Sequence, residues 1–77
     1  MKKGHYNRLK GVLGDVGVTN KALAEGIGVT PETVSTWCTN DKQPSLSTLY
    51  EIANFLGIDV RELLVPNKLS AGSSKKG

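Results

Sequence analysis

The stretch "VTPETVSTWCTN", Val29–Asn40, brings Glu32, Thr33 and Thr36 close together. On a helix, residues four apart share a face. Glu32 and Thr36 would then stand side by side with Thr33 between them. A carboxylate and two hydroxyls with their methyl groups can recognise a ligand by hydrogen bonding and apolar contact. They are not equipped for covalent chemistry, because no base stands near a hydroxyl to activate it. The rest of the chain adds no catalytic set. His5 and Cys38 are each the single residue of their type, which excludes a disulfide framework and a cysteine zinc site. Gly26-Ile27-Gly28 lacks the preceding strand that a dinucleotide-binding loop requires. The expectation is no enzyme, no cofactor and no metal.

The 77 residues suffice for one small domain, and 38% apolar with 22% charged residues is an ordinary globular composition. The net charge is +3. Its distribution is uneven: within residues 6–65 five basic side chains face seven acidic ones, whereas Lys2, Lys3, Lys68, Lys75 and Lys76 lie at the two ends. The body is therefore slightly acidic. No apolar run approaches the about 20 residues of a membrane span. Behind the basic N-terminal residues there is no apolar stretch of the secretory kind. The expected location is the cytoplasm, with no membrane partner and no small-molecule ligand.

The elements that would position these side chains are helices. Leu9, Val12, Leu13 and Val16 have helical spacing, so a first helix is expected over 7–16. Gly11 and Gly14 either weaken it or allow a close approach. Thr19 is an N-cap for a second helix, Asn20 to about Ile27, and Gly28 provides the turn. Thr30 caps a third helix with Pro31 at its first position, and Val34 and Trp37 point inward. That helix ends near Thr39, ahead of the turn residues Asn40-Asp41. Ser45 opens a fourth helix whose apolar stripe is Leu46, Leu49, Ile52, Ala53 and Leu56, stopped by Gly57. Asp59 and Glu62 read as the capping box of a fifth, with Val60, Leu63 and Leu64 inward and Pro66 ending it. No strand is expected. The division is an N-terminal arm over 1–5, a domain over 6–65 and a flexible polar tail over 66–77.

Two helices joined by a short turn containing glycine describe a helix-turn-helix unit. Ala24 at the crossing, Gly28 in the turn, and Val34 and Trp37 in the next helix fit it. Together with "NRLK", "VTNKALAEGIGVTPETVSTW" and "QPSLSTLYEIANFLGIDVRELL", the chain resembles the phage-repressor type of helix-turn-helix domain, the Cro/C1 or XRE family. The resemblance runs from about Asn7 to Leu64. It implies an all-α, compact five-helix bundle of the lambda-repressor-like type, with its helix-turn-helix at the second and third helices.

The resemblance also implies roles. Pro31, Glu32, Thr33 and Thr36 match positions that approach base edges, with Ser35 on the flank of that surface. Asn20 matches a phosphate-holding position and Thr19 stands beside it. The loop Thr39 to Gln43, including Asn40, matches a phosphate-gripping segment in which Lys42 is the only cation. Leu13 and Cys38 match a buried Arg–Glu pair of the family. Replacing both partners strands no charge, so Cys38 is expected to be a packing residue. Glu32 has two readings, as an acceptor for the cytosine N4 amino group or as a first-turn acid favoured by the helix dipole.

The functional expectation is a sequence-specific, double-stranded DNA-binding transcriptional regulator. It would act as a homodimer on a pseudo-palindrome, with pairing allowed to occur only on DNA. The fifth helix and Val65 are candidates for the dimer surface. The alternative is a protein-interaction module, antitoxin-like or restriction-controller-like, acting through a protein partner. RNA is disfavoured because the polar faces carry no aromatic stacking platform.

Overall fold

The computed structural model describes residues 5–66. Four α-helices follow one another: α1 Leu9–Val16, α2 Asn20–Ile27, α3 Pro31–Cys38 and α4 Leu46–Leu56. A 3-10 turn, Val60–Leu63, completes the described chain. Residues 1–4 of the expected arm over 1–5 and residues 67–77 of the expected tail over 66–77, with their lysines, lie outside the described residues.

Hydroxyl caps start three of the helices. Thr19, Thr30 and Ser45 accept the backbone N–H groups of Ala22, Thr33 and Thr48 at 3.0, 3.2 and 3.2 Å. Each occupies a free donor of a first turn. Between α2 and α3, Gly28 adopts φ 81°, a left-handed conformation open to glycine without steric cost. Its N–H and that of Val29 both donate to Ala24 O at 2.9 Å, which closes α2 and turns the chain toward α3.

α2 packs against both α3 and α4, and the last turn packs on α4 and α1. Leu9, Val12, Leu13, Leu23, Ala24, Val34, Trp37, Ile52, Ala53 and Leu63 form the core. Ala24 is fully buried, as a small residue at a helix crossing must be. The Phe55 ring of α4 lies over Gly26, where a Cβ would collide with it. Gly11 and Gly14, by contrast, have open space where a Cβ would stand. Neither permits a close approach, so each carries only its helix-propensity cost, roughly 1 kcal/mol relative to Ala in a helix interior.

Several expectations need correction. α1 starts at Leu9, because Asn7 is drawn into an isolated antiparallel bridge with Leu64. Arg8 N–H donates to Leu63 O at 2.8 Å, and Val65 N–H donates to Tyr6 O at 2.9 Å. The two ends of the domain are thus held together by extended pairing that no strand pattern foreshadows. The fifth helix is a single 3-10 turn. Asp59 caps Arg61 N–H at 2.8 Å rather than forming a box with Glu62. The stretch between Asp59 and Pro66 is short for an α-helix, and the residue before a proline is pushed out of helical geometry. In α4, Leu46 is 69% exposed, so the buried stripe begins further along. Val16 and Leu64 are exposed as well.

Candidate nucleic-acid interface

α3 is anchored from beneath by Val34 and Trp37, both buried. Helical geometry turns Pro31, Glu32 and Ser35 outward, and all three are exposed, while Thr33 and Thr36 are half-buried. Ser35, expected on the flank, is exposed, as Glu32 is. The Thr36 hydroxyl donates to Thr33 O at 2.7 Å. The hydroxyls of Thr30 and Thr33 share a hydrogen bond at 2.9 Å. No charged group other than Glu32 belongs to α3.

At the start of α2, Thr19 is exposed and Asn20 half-buried. Cys38, at the end of α3, donates its S–H to Asn20 Oδ1 at 3.7 Å. The two helices of the pair are therefore joined beside the polar face. Asn20 Nδ2 has no acceptor among the described residues and remains available as a donor. Burial pushes the Cys38 thiol pKa up, and nearby Lys10 pulls the other way without prevailing. A neutral thiol in a half-buried position fits a packing role. It borders an open groove of about 610 Å³ whose other walls include Lys10, Gly11 and Gly14.

The loop after α3 wraps back on the helix end. Asp41 N–H and Lys42 N–H both donate to Thr36 O, at 3.0 and 3.2 Å. Thr39 Oγ1 lies 2.8 Å from Asp41 Oδ2. Lys42 is exposed. Asn40 differs from the rest of the loop: it has φ 62° and is 3% exposed. Its Oδ1 accepts Tyr6 N–H at 2.9 Å, Asn7 N–H at 3.1 Å and Gln43 Nε2 at 3.0 Å. Its Nδ2 donates to Asn7 O at 3.2 Å. The Asn40 side chain, expected at a phosphate, is thus hydrogen-bonded inside the protein. Gln43 is partly committed too, because its Oε1 accepts from Asn7 Nδ2 at 2.8 Å.

Asn7 is the residue that sequence reasoning missed. It is buried, and its Nδ2 also donates to Trp37 O at 2.9 Å. Its Oδ1 accepts Leu9 N–H at 3.0 Å, which occupies a free donor at the start of α1, where the N-cap residue Arg8 gives no side-chain cap. Asn7 and Asn40 together tie the start of α1 to the end of α3. The only signal in the sequence was that Asn40 belongs to a type that tolerates left-handed geometry after a helix.

The helix-turn-helix family model matches residues 12–63. No curated protein matches the chain in sequence. Among solved structures, the chain is similar to a candidate DNA-binding protein from Bacteroides fragilis, at 44% identity and a TM-score of 0.75, covering 77% of this chain and 95% of that one. It is also similar to the SOS-response transcriptional repressor LexA from Eubacterium rectale, at 27% identity and a TM-score of 0.68, covering 82% of this chain and 67% of that one. A third similar structure is cobalt-bound HppE in complex with substrate, at 32% identity and a TM-score of 0.73. That match takes in 84% of this chain but only 36% of the other.

Proposed function

The chain belongs to the helix-turn-helix family of the Cro/C1 type, and from that premise we propose that it is a sequence-specific, double-stranded DNA-binding transcriptional regulator without enzymatic activity. α3 enters the major groove, where Glu32, Ser35 and Thr36 face base edges and Pro31 and Thr33 flank them. Thr19, the free Asn20 amide, Thr39 and Lys42 hold phosphates, with Gln43 nearby. The observation that carries this reading is the outward polar face of α3, held rigidly by Trp37, Val34 and the Asn7–Asn40 bonds next to a donor-bearing α2 start. Phosphate contacts position and base contacts specify, so the lack of cations on α3 is no obstacle to specificity. The likeness to LexA and to the Bacteroides protein supports the same reading.

One short helix spans few base pairs. Two copies on a pseudo-palindrome, with half-sites about one helical turn apart, would supply the missing specificity. A second reading, a module acting through a protein partner, draws on Leu46 and Tyr50, which are exposed one helical turn apart on α4. Selection from random-sequence duplexes separates the two. Enrichment of a palindromic site, with Thr36→Ala altering the preferred site and Asn20→Ala weakening all sites alike, supports the regulator. Failure to bind any duplex at low salt while the protein stays folded removes it.

A further inference from the structure

α3, with the sequence PETVSTWC, contains no Arg, Lys, Asn or Gln. Those are the side chains whose N–H groups make paired bonds to guanine O6/N7 or adenine N6/N7. Two of the hydroxyl hydrogens around α3 are also engaged. Thr36 gives its own to Thr33 O at 2.7 Å. Thr30 and Thr33 engage one of their two at 2.9 Å, and Thr30 Oγ1 also takes the Thr33 N–H at 3.2 Å. What Thr36 has left for a ligand is a methyl group and oxygen lone pairs. The exposed Glu32 carboxylate only accepts. Among the described residues, Ser35 alone on α3 has a hydroxyl with no intramolecular partner.

We infer that Glu32 and Thr36 of α3 read the pyrimidine edges of their base pairs: the cytosine N4 amino group through the Glu32 carboxylate and the thymine 5-methyl through the Thr36 methyl, with no hydrogen bond from either to a purine N7. The inference rests on the DNA-binding reading above. In the major groove cytosine offers a donor with no acceptor beside it and thymine a methyl, whereas adenine sets its donor next to the N7 acceptor and guanine offers two acceptors. A carboxylate facing guanine O6 and N7 meets only lone pairs, so Glu32 also excludes that base from its position. The ligand class is a duplex half-site whose cytosines and thymines, not its purines, define the preference under Glu32 and Thr36.

The test uses the full chain and its selected duplex, with the α3 positions defined as those whose preference changes in Thr36→Ser or Glu32→Gln. Replacing the thymine at such a position by deoxyuridine should weaken binding about fourfold, the effect of removing one buried methyl. Thr36→Ser keeps the hydroxyl and loses the methyl, so it should bind the thymine and uracil duplexes alike. Glu32→Gln gains an N–H donor. It should shift one base pair per half-site from C·G toward A·T by about tenfold. 7-Deazapurines at these positions should leave affinity unchanged. Loss of affinity with 7-deazapurines, or indifference of the unaltered protein to uracil, overturns the inference while leaving the DNA reading intact. The absence of any selected duplex, with the protein folded by circular dichroism, overturns both.

Discussion

Asp59 and Arg61 show how much one pair of side chains settles locally. Arg61 Nε and Nη2 donate to the two oxygens of Asp59 at 3.0 and 2.9 Å, and Arg61 N–H adds a third bond at 2.8 Å. The side-chain bonds, then the backbone one, hold the Asp59 carboxyl at about 2, below its ordinary 3.8. A carboxyl held down in the folded state favours folding above its unfolded pKa. That contribution disappears as pH falls through the folded value, so here it is lost between about pH 4 and pH 2. An NMR titration of the Asp59 carboxyl carbon should show a midpoint of about 2, and Arg61→Ala should return it toward 3.8. An unaltered protein titrating at the ordinary value contradicts the pairing. The residue types on α3 were visible in the sequence, but the direction of their hydroxyls was not. Whether Thr36 offers a proton or lone pairs depends on the carbonyl one turn back, which residue type and spacing do not specify.

The helices were legible where local chemistry sets them. Thr19, Thr30 and Ser45 stop unpaired N–H groups from fraying, and Gly28 and Gly57 accept the left-handed turns. α2 begins and ends where those residues say. The last turn was not legible, because an Asp followed three residues later by Glu is compatible with a 3-10 turn when the neighbouring Arg claims the cap. Nor was the bond set between Asn7 and Asn40, 33 positions apart. No periodicity reports a contact at that distance. Its weight can be measured through Asn40→Gly. Glycine adopts the φ of 62° freely, so the change removes the side chain without straining the backbone. It leaves the N–H groups of Tyr6 and Asn7 without their acceptor, and a buried polar group left unpaired costs about 1–3 kcal/mol. Urea denaturation should show a loss of about 2 kcal/mol or more. A change within about 0.5 kcal/mol, the range of ordinary surface substitutions, contradicts the view that Asn40 ties α1 to α3.

At the scale of the molecule, charge was a poor guide and shape a good one. The described body is slightly acidic, yet the order of caps, turn and inward residues led to the helix-turn-helix family that the comparisons show. The match to HppE, in which a comparable unit makes up 36% of the chain, shows the same fold set within a larger protein. What this fold does here depends on which face meets the partner. Two faces compete: α3 with the start of α2 and Lys42, and the outer side of α4 with Leu46 and Tyr50. The direct measurement is a titration of the ¹⁵N-labelled chain with its selected duplex, followed amide by amide. The account predicts shifts and broadening at Thr19, Asn20, Glu32 to Thr36 and Lys42, with Leu46 and Tyr50 unmoved. Perturbation centred on Leu46 and Tyr50 with α3 silent would contradict it.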